Sequence, residues 1–176
     1  GAQLILWGYF KKLVIADRIA PFVKEALAQS ATIPGWLALL TVMAYTLELY
    51  TDFSGGIDIV RGAARLFGIS LGKNFKQPFF ARSVSDYWRR WHISLGAWFR
   101  MYVLYPMATS RWSAKLGKLG RRLLGAKVGS GLPGALSAFA VFVLIGLWHA
   151  FQWNALLYGV WFGLLSLLAV LLEPLF

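Results

Sequence analysis

Residues 132–149 read LPGALSAFAVFVLIGLWH, eighteen positions with no charged residue before the closing histidine. Such a run is long enough to cross most of a hydrocarbon core about 30 Å thick. A soluble core helix is seldom this long without an acid or a base. The rest of the chain agrees: 59% of its 176 residues are hydrophobic and 14% are charged, against about 25% charged in an ordinary soluble domain. The fold class expected is all-α, a polytopic membrane helical bundle.

Charge is laid out in blocks around this run. Arg111, Lys115, Lys118, Arg121, Arg122 and Lys127 come before it without an intervening acid, and from Val128 to Phe176 the one charged residue is Glu173. Basic blocks alternating with apolar ones mark cytoplasmic loops between membrane segments. Residues 110–131 therefore read as a basic cytoplasmic loop suited to anionic lipid headgroups. The net charge of +11 does not point to nucleic acid, because the bases are not spread along a binding face. No cysteine is present, which excludes disulfides, Cys-ligated zinc and thiol nucleophiles.

Upstream, residues 4–27 mix apolar residues with Lys11, Lys12, Asp17 and Arg18 and read as an interfacial helix interrupted near Pro21. Thr32–Gly35 reads as a turn. A helix follows from Trp36 through Tyr50 towards Asp52, with a kink or break expected at Gly55-Gly56. Helical spacing resumes over residues 57–67, and residues 72–78 (GKNFKQP) read as a loop. Ser83-x-x-Asp86 is a helix-start signature. Trp88, Trp91, Leu95, Trp98 and Tyr102 then fall on one continuous helix face ending near Pro106. A last apolar run covers residues 156–172. The whole reads as one integral-membrane domain over residues 1–176, a fragment of a longer chain.

Four sets of residues could carry chemistry. His149 closes the apolar run. An ionisable group at membrane depth is a functional candidate, and a ring kept neutral by burial could act as a general base. An interfacial histidine between Trp148 and Trp153 is the other reading. His92 sits beside Arg89 and Arg90, which would suit a phosphate or carboxylate; a polar interfacial helix face would look the same. Glu48 and Asp52 share a helix face at i, i+4, either paired with arginines to lock helices or open to a cation or hydroxyl. His92 and His149 lack the spacing of a metal pair, and no metal is expected.

The stretches YTDFSGGIDIVRGAARLFGISLGKNFKQPF, DYWRRWHISLGAWFR and GLWH, in that order, resemble the membrane-bound O-acyltransferase family, and its bacterial branch in particular. The resemblance implies a ring-like bundle of tilted helices around a tunnel. It ranks the histidines, His149 as catalytic and His92 as supporting. Around them it implies Trp88, Trp91, Arg89 and Arg90 packing and positioning His92 or the donor, with Trp148, Asn154, Glu48 and Asp52 in support. No tightly bound cofactor is implied. The donor would be a coenzyme A or acyl-carrier thioester, the acceptor a hydroxyl, with a partner acyltransferase outside the membrane and a multi-pass site in the bacterial inner membrane. Met101 stands where relatives often carry an acid, which keeps open a non-catalytic scaffold. A transporter or channel, with Glu48, Asp52 and the histidines along an ion path, is the alternative from a different class.

Overall fold

A computed structural model describes residues 1–172, so Glu173 lies outside the described residues. The described chain is helical, without a β-strand, and it divides into two compact units, Gly1–Ser94 and Leu95–Phe176.

In the first unit, α1 (Ala2–Tyr9), a π-helical turn over Phe10–Ala16 and α2 (Asp17–Ala28) form one continuous run. Pro21 does not interrupt it. The proline lacks an N–H for the carbonyl of Asp17, and the wider π turn ends at the residue before that position. Turns over residues 29–34 lead into α3 (Gly35–Leu66), a single 32-residue helix. The expected break at Gly55-Gly56 is absent. Gly55 instead lets α1 come close: a Cβ there would lie 2.8 Å from the Gly8 carbonyl oxygen, and one on Gly8 would lie 2.6 Å from that of Gly55. One repeat of seven along, Gly62 packs on Gly1 and Ile5, so α1 and α3 run antiparallel with backbones nearly touching. Small residues at a close crossing are how helices associate where lipid removes the hydrophobic drive.

The expected continuous helix from Trp88 to Tyr102 is broken in two. α4 (Val84–Arg90) and α5 (Ile93–Phe99) flank Trp91 and His92, and His92 has a left-handed φ of 44°. The cause is the segment read as a plain loop. Asn74 accepts the Ile93 N–H on its backbone oxygen (3.0 Å) and the Ser94 N–H on its Oδ1 (2.8 Å), while Lys76 donates its N–H to the Arg90 carbonyl (3.0 Å). These partners replace the helical bonds that the break leaves open. The capping signature is present as read, with Ser83 Oγ accepting the Asp86 N–H at 3.1 Å.

In the second unit a π turn, Arg100–Leu104, continues α5 into α6 (Tyr105–Ala108). The helix therefore passes through Pro106 rather than ending there, again directly after a π turn. α7 (Arg111–His149) begins at its N-cap Ser110, whose Oγ accepts the Ser113 N–H. The basic segment expected as a loop is helical. It makes the first limb of a hairpin that reverses at Gly125, where φ is 84° and ψ 167°. Gly120 packs on Gly129 and Gly117 on Pro133 across it. Five of the six basic side chains that suggested a loop lie exposed on this limb, and the sixth, Lys127, follows the reversal. The second limb, about 24 residues or about 36 Å long, carries the apolar run. Among the described residues α7 is the one helix long and apolar enough to cross a membrane, and α8 (Trp153–Leu172) holds a shorter apolar stretch. α8 packs antiparallel on that limb, with Gly146, Gly159 and Gly163 at the contacts.

Polarity is inverted relative to a soluble protein. Thr41, Thr51, Ser54, Ser113 and Ser137 are buried, whereas Trp36, Leu39, Val42, Leu157, Trp161 and many other large apolar side chains are exposed. Thr41, Thr51 and Ser137 satisfy their hydroxyls within their own helices, on Leu37 O, Leu47 O and Pro133 O. A surface this apolar is suited to lipid.

Candidate functional site

Trp91 and His92 sit at the α4–α5 break. Trp91 packs in an aromatic cluster with Tyr50, Phe75, Phe79 and Tyr87, stacking on Tyr87 at 5.8 Å. His92 meets Phe53 edge-on, ring centres 4.8 Å apart. Its left-handed backbone costs on the order of 1 kcal/mol, a strain held by the Asn74 and Lys76 bonds. Asn74 was missed in the sequence because a lone Asn in a Gly-Lys-Asn loop reads as turn chemistry.

The arginines divide. Arg90 pairs with Asp86 at 2.9 Å one turn back. The Arg90 guanidinium, with the Arg82 N–H, holds the Asp86 carboxyl below its ordinary range. Arg89 is exposed and is the one of the two left facing solvent. Trp88 packs edge-on to Tyr87 at 5.2 Å.

Glu48 and Asp52 part company. Asp52 pairs with Lys12 at 2.6 Å, and Lys12 also pairs with Asp17 at 2.9 Å. The partner is a lysine on the facing helical run rather than an arginine. Glu48 keeps a buried Oε2 with no hydrogen-bond partner. Deeper in the same unit, Lys11 donates to Ser54 Oγ (3.0 Å) and Asp58 Oδ2 (2.6 Å), and Arg61 donates to Asp58 Oδ1 (3.0 Å). Asp58 and Arg61 stand one turn apart on α3. Lys11, 47 residues from Asp58, joins them, which nothing in the local sequence signals.

His149 ends α7 in the second unit. It is exposed, where burial was expected. Its geometry is informative in another way. Nδ1 lies 2.8 Å from the Ile145 carbonyl oxygen, and a carbonyl can only accept, so Nδ1 carries the proton. In the neutral ring Nε2 then holds the free lone pair. Trp148 meets the ring edge-on at 4.7 Å. Asn154 accepts the Ala155 N–H on its Oδ1 at 2.8 Å, within the first turn of α8.

No family model matches the chain. It is 33% identical to the probable alginate O-acetylase AlgI of Azotobacter vinelandii over 93% of its length, covering 29% of that protein. It is 31% identical to the peptidoglycan O-acetyltransferase of Helicobacter pylori over 89% of its length, covering 27% of the relative. With the teichoic acid D-alanyltransferase of Bacillus subtilis it shares 32% identity over 72% of its length, covering 30% of the relative. An all-α chain with these motifs is thus a homologue of acyl-transferring proteins. The resemblance to the membrane-bound O-acyltransferases holds over most of the chain, which spans under a third of each relative.

Proposed function

We propose that the chain is part of a membrane O-acyltransferase that moves an acyl group, acetyl first among them, from a thioester donor to a hydroxyl of an exported or cell-surface polysaccharide. The observation that carries this reading is homology to an alginate O-acetylase across 93% of the chain. The donor would be a coenzyme A or carrier-protein thioester. The inverted polarity and the apolar limb of α7 support a multi-pass place in the bacterial inner membrane. The bases of residues 111–127 then meet anionic headgroups at its cytoplasmic face, and a partner acyltransferase outside completes delivery to the polymer.

In this mechanism Nε2 of His149 takes the acceptor hydroxyl proton as the oxygen attacks the thioester carbonyl carbon. The tetrahedral intermediate collapses with cleavage of the C–S bond, and the proton passes to the leaving thiolate. The Nδ1 contact with Ile145 O supports the role, since it presents Nε2 as the acceptor. His92, held in a strained turn, is assigned as the supporting histidine.

The test is transfer of radiolabelled acetyl from thioester in membranes, wild type against His149→Ala at matched abundance. A loss of about 10²–10⁴-fold is expected for a general base. Equal transfer in both proteins would remove His149 from the chemistry.

A further inference from the structure

The first unit contains a cavity of about 300 Å³, the lower end of the range for small-molecule sites. Lys11, Asp58, Arg61 and Asn74 line its polar side, and Ile57 and Phe75 stand among its apolar walls. Lys11 and Arg61 are 7% and 8% exposed. Between them they occupy both oxygens of one carboxylate, Asp58. Two buried cations thus share a single anion, which leaves one positive charge over.

The ion-pair cluster around the next residue, Lys12, does not balance it. Asp17 and Asp52 outnumber Lys12, but the three side chains are 42–48% exposed, and charges that meet water are largely screened. A buried excess charge is costly unless it is paired. Donors also remain. An ammonium has three N–H bonds and a guanidinium five. Lys11 uses two, on Asp58 and Ser54, and Arg61 makes one bond to Asp58 and one, at 3.4 Å, to Leu71 O.

We propose that this cavity binds a singly charged oxyanion, with Lys11 and Arg61 as its ligands and Asp58 holding the two cations in place. The apolar wall accepts the organic body that carries the anion. Asn74 joins the site to the His92 turn, since the same residue lines the cavity and holds the two amides that follow His92. The oxyanion has two possible sources, the phosphodiester of a phosphopantetheine donor or the carboxylate of an acidic sugar acceptor. That assignment of source rests on the acyl-transfer reading; the existence of the site does not.

The experiment follows the thermal unfolding midpoint of the intact protein in nanodiscs of neutral lipid, with inorganic phosphate against chloride at matched ionic strength. A saturable rise specific to phosphate is expected, lost in Arg61→Gln and in Lys11→Gln. Asp58→Asn removes the resident anion, and should lower the half-saturating phosphate concentration on the order of tenfold, one pKa unit's worth of interaction. This variant separates the proposal from a purely structural ion network, in which it would only destabilise. Phosphate indistinguishable from chloride in both wild type and Asp58→Asn would overturn the site. Phosphopantetheine stabilising more than pantetheine marks the donor as the source, and galacturonate stabilising more than galactose marks the acceptor. A protein that shows the phosphate effect yet transfers no acyl group keeps the site and loses the function proposed above.

Discussion

At the scale of the residue, His92 is defined by its backbone as much as by its ring. A φ of 44° is strained for any side chain and free for glycine. His92→Gly removes the strain while losing the Phe53 contact and adding chain entropy, one favourable and two unfavourable terms each of about 1 kcal/mol. Its stability should fall by only about 1 kcal/mol while acetyl transfer falls much further, as read by paired melts and transfer assays. A collapse of stability would make His92 a packing residue. Two positions earlier, Arg90 and the Arg82 N–H keep the Asp86 carboxyl below its ordinary value of 3.8. The folded state therefore binds that proton less readily than the unfolded chain does. The resulting stability is complete above the unfolded value and disappears as pH falls through the lower folded one. The midpoint difference between wild type and Asp86→Asn should be constant near neutrality and should shrink only as pH falls below the ordinary carboxyl value of 3.8. A difference unchanged into acid would show that the carboxylate is not what Arg90 holds.

At the scale of the element, glycine decides where helices approach and where they turn. Gly125, with φ 84° and ψ 167°, occupies a region essentially restricted to glycine, where another residue costs about 1–3 kcal/mol. Gly125→Ala should destabilise the protein by that amount in denaturant titration, although a Cβ there meets nothing within 4 Å. An unchanged midpoint would mean that the hairpin reverses by another route. Much of this scale could be read from sequence: the apolar limb of α7, the turn before α3 and the Ser83 cap all follow from period and composition. What could not be read depended on distant partners. Gly55-Gly56 suggests a break until α1 is there to be packed against. The face from Trp88 to Tyr102 is helical in period, and nothing local announces that Asn74 will take the amides after His92. Pro21 and Pro106 suggest helix ends because the π turns before them have no composition of their own. The site divides in the same way. His149 and His92 were visible as motif residues, whereas Lys11, Asp58 and Arg61 become one cluster only when α3 is laid against the run from α1.

At the scale of the whole molecule, the distribution of polarity fixes the surroundings. Large apolar side chains such as Trp36 (69% exposed), Phe67 (83%) and Phe151 (93%) face outward while Thr41, Thr51, Ser54, Ser113 and Ser137 lie inside. In water each such side chain left exposed forgoes about 1.5–3 kcal/mol of burial, and over dozens of residues that exceeds the 5–15 kcal/mol by which ordinary domains are stable. In lipid the penalty vanishes, and the buried hydroxyls of Thr41, Thr51 and Ser137 are satisfied by their own helix carbonyls. The basic limb of α7 alone would give a different behaviour. Its five cations attract an anionic surface by about 1 kcal/mol each, and that attraction is screened by salt. The two modes separate in fractionated membranes. If the apolar surface holds the protein, it stays in the pellet through both 1 M salt and alkaline carbonate and is released only by detergent. Release by either wash would mean that the basic limb alone holds the protein to the membrane, and that the outward-facing tryptophans and phenylalanines are covered by protein instead of lipid.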